Sequence, residues 1–182
     1  MPLQPIDTPR LLIRQFESDD WSAVHAYAAD AAVMAYLPGG PLTEQQARAF
    51  VATNAGEQAT AFAAVLKAER RLIGHLPFHP WFAPRTYEVG WVLHPGYHGR
   101  GLATEAARAL LRHGFETLRL HRIIATAQPE NAASCRVMAR LGMRQEGLFR
   151  KGIYRDESTW WDECFYAMLE EEWFADSARA LR

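Results

Sequence analysis

The run His98-Gly99-Arg100-Gly101-Leu102-Ala103-Thr104-Glu105 is the part of the sequence best suited to chemistry, because it joins an expected strand to the start of an expected helix. Two glycines let the backbone turn tightly and approach a ligand closely. The first N–H groups of a helix have no intrahelical partner, and the helix dipole adds partial positive charge there. Such an arrangement suits a phosphate or a diphosphate. A Gly-rich helix entry also serves plain tight packing, and the loop alone leaves both readings open. Two phosphate motifs are excluded: no Lys follows Gly101, as a P-loop requires, and the dinucleotide pattern G-x-G-x-x-G fails at Thr104.

The elements that must hold this loop follow from periodicity and turn residues. Residues 10–16 read as a strand, and Ser18 caps a helix with Asp19 and Asp20 in its first turn. Thr43 and Gln46 form a capping box that opens a second helix, running roughly to residue 57. Residues 60–67 and 71–79 pair across a turn at Glu69-Arg70, with Pro77 and Pro80 placing the second of them at an edge or ending it early. Residues 86–93 form one continuous strand. A helix over 102–118 follows, with Leu102, Ala106, Ala109, Leu110 and His113 on its apolar face and Glu105, Arg108, Arg112 and Glu116 spaced for ion pairs opposite. Residues 122–127 form a buried strand, Asn131 caps a short helix ended by Gly142, and two strands cover 143–153 and 159–168 before a terminal acidic helix. The order implies a mixed α/β fold with antiparallel meanders and one right-handed β-α-β crossover over 86–127.

Composition agrees with one globular domain over residues 1–182. Hydrophobic residues make up 49% and charged residues 23% of the chain, which argues against disorder. No apolar run is long enough to span a membrane, and no signal peptide is visible, so no membrane partner and a cytoplasmic location are expected. Cys135 and Cys164 are spaced for neither a disulfide framework nor a metal site. The net charge is −1, yet the segment Arg100–Arg155 carries a local net of +7 and the remainder −8. Such a basic segment raises the local concentration of an anionic partner, although solvated helix faces explain it equally well. Nucleic acid is not expected, because the chain as a whole is not basic.

Two longer runs carry a family resemblance. E-V-G-W-V-L-H-P-G-Y-H-G-R-G-L-A-T-E-A, followed by P-E-N-A-A-S-C-R-V-M-A-R-L-G-M, resembles the GNAT acetyltransferase superfamily, and within it the RimJ/RimL-type branch. The family's loop Q/R-x-x-G-x-G/A stands here as His98-x-x-Gly101-x-Ala103, and its second signature as Asn131, Ser134, Arg140, Gly142 and Met143. The likeness extends from T-P-R-L-L-I-R near the start to W-D-E-C-F-Y-A-M-L near the end.

The resemblance implies a GNAT-like, mostly antiparallel sheet, splayed centrally and flanked by helices. It implies acetyl-CoA as cosubstrate, with no metal, and direct transfer to an amine in a ternary complex. The diphosphate then sits on the amides of Gly99, Arg100, Gly101, Leu102, Ala103 and Thr104, with His98 at the head of the loop. Pantetheine lies between strands 86–93 and 122–127, pairing with the backbone of Val92 and Leu93. Asn131 bonds it from the other wall or is simply a helix cap, and Arg136 reaches a phosphate or is solvated. The Leu93 N–H polarises the thioester carbonyl. The family's Tyr proton donor is replaced here by Met138, which leaves Ser134 to protonate the departing thiolate, unless its hydroxyl bonds locally. Glu88 is the candidate base, with Asp162 as a second; alternation along one strand puts Glu88, Gly90 and Val92 on one face. Glu88 could equally orient a cationic substrate or stand exposed.

A zinc site is not expected: His75 and His79, like His94 and His98, are four apart, but in strand or loop segments. The acceptor is a protein N-terminus or a small amine, in a pocket shaped by residues 31–43, 77–86 and 155–160. Tyr36, Leu37, Trp81, Phe82, Tyr154 and Trp160 would make that pocket partly apolar. The chain acts as a monomer or homodimer. A non-catalytic CoA-binding or regulatory domain of the same fold is the alternative.

Overall fold

The computed structural model describes residues 3–180, the side chains of 176–180 excepted. In chain order the elements are β1 (Ile6–Asp7), β2 (Leu11–Arg14), α1 (Trp21–Ala28), α2 (Glu44–Asn54), β3 (Ala61–Leu66), β4 (Arg71–Pro80), β5 (Thr86–Val89) and β6 (Val92–Leu93). They continue with α3 (Leu102–Arg112), β7 (Arg122–Ala127), α4 (Ala132–Leu141), β8 (Arg144–Asp156), β9 (Thr159–Leu169) and α5 (Glu170–Ala180). The chain divides into two compact units: one runs to Phe78 and includes Gly90–Ala109, the other holds His79–Val89 and the chain from Leu110 onward. Each combines a largely antiparallel sheet with flanking helices.

In the first unit, β1, β2, β3 and β4 pair antiparallel in that order, and β6 adds to the other side of β4. Phe16, Val24, Tyr27, Val51, Ala63 and Val92 form its core. The expected cap of the first helix moves by one residue. Glu17 is the N-cap and exchanges bonds with Asp20 over a single 3-10 turn, Ser18–Asp20, before α1. The second expected cap is as read: Thr43 and Gln46 make a reciprocal capping box on α2.

β4 neither ends early nor lies at an edge. It extends through Pro77, whose carbonyl accepts from the Gly90 N–H at 2.9 Å, and Phe78 N donates to the Thr60 carbonyl at 2.8 Å. Pro77 forfeits only its own N–H, and its carbonyl still pairs. Gly74 lets β6 approach β4: a Cβ there would stand 2.2 Å from the Val92 carbonyl oxygen and 2.8 Å from Leu93 Cα.

The expected single strand 86–93 is two strands. β5 pairs parallel with β7 in the second unit, whereas β6 pairs antiparallel with β4 in the first. The pairing with β7 ends at Glu88, Gly90 already bonds β4, and the strand is interrupted at Gly90-Trp91, so the period-2 alternation that put Glu88 and Val92 on one face does not carry through.

In the second unit the strand order is β5, β7, β9, β8, with every pair after the first antiparallel. The helix expected over 102–118 is α-helical to Arg112 and widens its bonding pattern into a π-turn over His113–Thr117, where Leu118 N bonds the His113 carbonyl. Phe115, within that turn, stacks on Trp173 of α5 with ring centroids 5.8 Å apart. Asn131 Oδ1 accepts from the Ser134 N–H at 3.1 Å and caps α4, which Gly142 ends with a φ of 83°. Among the described residues no helix is long and apolar enough to cross a membrane.

Candidate active site

The loop between β6 and α3 takes its shape from its glycines. Gly99 and Gly101 have φ angles of 72° and 75°, the left-handed region that side chains disfavour. Nothing lies within 4 Å of where a Cβ on Gly99 would stand, so its backbone conformation, and not crowding, requires a glycine. Leu102, the first residue of α3, is buried and anchors the helix start, while Gly99 and Arg100 are exposed. Glu105 N bonds the Gly101 carbonyl, which leaves the amides of Leu102, Ala103 and Thr104 as the first-turn donors without a helical acceptor. These donors, open space at Gly99 and the exposed Arg100 fit a diphosphate.

A brace from the N-terminal strand fixes this loop. Arg10 donates its backbone N–H to Glu105 Oε1 at 2.8 Å and its Nε to Oε2 at 2.6 Å, and its Nη1 bonds the Arg100 carbonyl at 2.8 Å. Thr8 Oγ1 donates to Glu105 Oε1 at 2.7 Å. Burial alone would raise the Glu105 carboxyl. The Thr8 hydroxyl, the Arg10 amide and the Arg10 guanidinium outweigh it and hold the carboxyl below its usual range. The helical spacing predicts an ion pair for Glu105, and it forms one with Arg10, from the segment before β2.

Val92 and Leu93 form β6. His94 N donates to the Ile73 carbonyl of β4 at 2.8 Å. Successive N–H groups of a strand point to opposite sides, so the Leu93 N–H points away from β4. His98 closes back on the same strand, with Nε2 2.8 Å from the Leu93 carbonyl oxygen. The imidazole thus holds the peptide that follows Leu93. Arg100 lies over the Tyr97 ring at 5.3 Å, and Tyr97 donates its hydroxyl to Glu69 at 2.5 Å.

In the second unit, α4 begins with the Asn131 cap, and Ser134 is its half-buried third residue. The Asn131 side-chain oxygen is occupied by the Ser134 amide, as the cap reading requires. Arg136 is exposed. Met138, at the position of the family's Tyr, is fully buried.

The second unit also holds a cavity of about 690 Å³. Glu88 of β5, Thr126 of β7 and Glu163 of β9 line it together with Trp81, Phe149 and Phe165. Thr126 Oγ1 donates to Glu88 Oε1 at 3.2 Å. Burial pushes the Glu163 carboxyl up, with the negative charge of Glu88 adding to the effect and the Thr126 hydroxyl opposing it. Glu163 is the acid that sequence reasoning missed. Asp162, its neighbour, accepts from the Lys151 N–H at 2.8 Å and does not line the cavity. The buried alternate positions Phe165 and Ala167 share the phase of Glu163 on β9, and that phase was the available signal.

Of the residues expected around the acceptor, Trp81 and Phe82 line this cavity. Tyr154 and Trp160 do not; they pack edge-on against each other near the β8–β9 turn, 5.2 Å between centroids. Tyr36 is exposed, and Leu37 packs on the first unit's core. The four histidines considered as metal pairs have other partners. His75 bonds Tyr27, His79 faces the Pro80 carbonyl, His94 accepts from the Gly96 N–H, and His98 meets Leu93.

Residues 10–144 match the family described as acetyltransferase (GNAT) domain. The uncharacterized N-acetyltransferase YnaD of Bacillus subtilis is 53% identical over 168 residues, covering 92% of this chain and 98% of YnaD. The spermidine N(1)-acetyltransferase of Escherichia coli is 28% identical, covering 79% of this chain and 81% of that protein. A crystal structure of an acetyltransferase of the GNAT family from Bacillus anthracis superposes with a TM-score of 0.89 at 51% identity, covering 93% of this chain and all of that one.

Proposed function

The chain belongs to the GNAT acetyltransferase family, and from that premise we propose that it moves the acetyl group of acetyl-CoA to a primary amine by direct transfer in a ternary complex. The observation that carries this reading is the left-handed glycine loop at the start of α3, with its first-turn amides and its Arg10–Glu105 brace. The loop amides and Arg100 hold the diphosphate. The backbone of Val92 and Leu93 orients the pantetheine arm and the thioester, with Asn131 and Arg136 as further contacts. The acceptor enters the cavity lined by Glu88 and Glu163.

In the reaction the amine nitrogen bonds the acetyl carbon and the carbon–sulfur bond breaks. The Leu93 N–H faces the oxygen on which negative charge grows, and a donor matched to that developing charge lowers the barrier. The proton lost by the amine passes to Glu88, directly or through a water, and the departing thiolate takes a proton from the Ser134 hydroxyl as that hydroxyl regains one from solvent, to which Glu88 returns its own. A lysine-type amine, with an ordinary pKa near 10.4, needs this base more than an N-terminal amine near 7.7–8.0. The motif around Asn131 and Ser134 supports placement in the RimJ/RimL-type branch. The acceptor is a protein N-terminus or a small amine, and the enzyme works in the cytoplasm.

Burial of Met138 where the family's Tyr would stand favours one other reading, a CoA-binding regulatory domain without turnover. Thiol release from acetyl-CoA over a panel of amines decides between them. Turnover that falls about 10²-fold or more in Glu88→Gln, and is lowered in Ser134→Ala, supports the enzyme, in line with the usual size of general acid–base effects. Coenzyme A binding without turnover across the panel overturns it.

A further inference from the structure

Resting on the acetyltransferase reading, we propose that the cavity of the second unit selects a small primary amine carrying a compact apolar body, with Glu163 as the residue that selects for its positive charge. The argument starts from charge. Four ionisable side chains line the cavity: Glu88, Arg122, Glu146 and Glu163. Arg122 is committed to Glu146, which also takes Arg144. Among the described residues neither Glu88 nor Glu163 has a salt bridge, and the two share the single hydroxyl of Thr126. Two neighbouring carboxylates therefore stand without a cation of their own. A bound ammonium supplies that cation and relieves the repulsion between them.

The remaining wall is aromatic and aliphatic. Phe165 lies centrally, with Trp81 at 5.3 Å and Phe149 edge-on at 5.7 Å between centroids. Phe82 and Ile153 complete it. Ring faces attract a cation and also pack against an apolar body. A polyhydroxylated amine would bury hydroxyl groups against the rings of Phe82, Phe149 and Phe165, which offer them no partner. A polyamine would need a further carboxylate for each further ammonium group, and Glu146, the third carboxylate among the described lining residues, is already paired with Arg122 and Arg144. A volume of about 690 Å³ suits a small molecule. An amine such as 2-phenylethylamine meets all three demands: one charge, one flat apolar body, and a compact size.

The test uses the full chain with saturating acetyl-CoA and follows thiol release. The acceptors are 2-phenylethylamine, spermidine, an aminoglycoside and a short peptide with a free N-terminal alanine. The expected result is a kcat/KM for 2-phenylethylamine at least tenfold above the other three. Glu163→Gln raises the KM for it about tenfold with a smaller change in kcat and an unchanged Kd for coenzyme A, and Glu163→Asp recovers part of the loss. Phenyltrimethylammonium, which cannot be acetylated, competes with the amine in the natural protein and loses this ability in Glu163→Gln. Preference for spermidine, the aminoglycoside or the peptide overturns the inference and leaves acetyl transfer standing. An unchanged KM in both Glu163 variants overturns the role of Glu163. Binding of phenyltrimethylammonium with no turnover of any amine overturns the acetyltransferase reading, and the substrate class with it.

Discussion

Arg10 clasps Glu105 from two sides: its backbone N–H meets one carboxylate oxygen and its Nε the other, while the same guanidinium holds the Arg100 carbonyl. One residue at the mouth of β2 thus fixes both the first turn of α3 and the loop before it. Glu105→Gln keeps the shape but weakens charge-assisted bonds, each worth about 1.5–3 kcal/mol. The expected outcome is a Kd for coenzyme A raised about tenfold, which corresponds to about 1.4 kcal/mol. Calorimetric titration of the variant and the natural protein checks it; equal affinities would sink the bracing role.

His98 acts on Leu93 through one contact, its Nε2 at the Leu93 carbonyl. If its part is to orient that peptide, His98→Ala lowers kcat more than it raises the Kd for coenzyme A. Steady-state kinetics set beside binding data separate the two effects. A variant that changes only the binding constant would make His98 a direct ligand.

Gly74 of β4 pairs with Leu93 of β6, and a methyl group there would overlap the Val92 carbonyl. Forcing such an overlap typically costs about 1–3 kcal/mol. Gly74→Ala is therefore expected to lower Tm by several degrees, at about 2–4 °C per kcal/mol for a chain of this size. The displaced Leu93 also lowers turnover. Thermal melts and thiol-release rates, measured on the same preparation, check both effects.

The core of the first unit carries an acid-sensitive pair. Tyr27 Oη and His75 Nδ1 are 2.8 Å apart, both side chains are buried, and Phe50 packs on the imidazole at 4.9 Å. Burial pushes His75 down to about 4 from its ordinary 6.5. The unfolded chain binds this proton more readily than the folded one. Its contribution is therefore fully present above pH 6.5 and is lost as the pH falls through the folded value near 4. A shift of this size corresponds to up to about 3 kcal/mol. Urea unfolding from pH 7.5 to pH 4 should show a decline that His75→Asn flattens; parallel curves for the two proteins would contradict it.

How far the sequence reveals this fold depends on whether the signal is local. The Thr43–Gln46 box, the Asn131 cap, the Gly142 stop and the left-handed glycines are all written within a few residues, and each stands where the sequence puts it. The division of 86–93 is not local: it follows from where the pairing with β7 ends, at Glu88, while β6 pairs with β4. Asp162 and Glu163 are adjacent acids, and only the register of β9 against β7 and β8 decides which one lines the cavity. The Arg10–Glu105 clasp joins residues 95 positions apart and leaves no pattern at either end.

Calorimetric titration with coenzyme A tests the central claim most directly, comparing the natural protein with Gly101→Val. The left-handed backbone at Gly101 presents the first-turn amides, and a β-branched side chain is strained there. The account predicts saturable binding by the natural protein and a Kd at least tenfold weaker in the variant, with its fold retained by circular dichroism. Absence of heat with the natural protein, or equal affinity in a folded Gly101→Val, would contradict it.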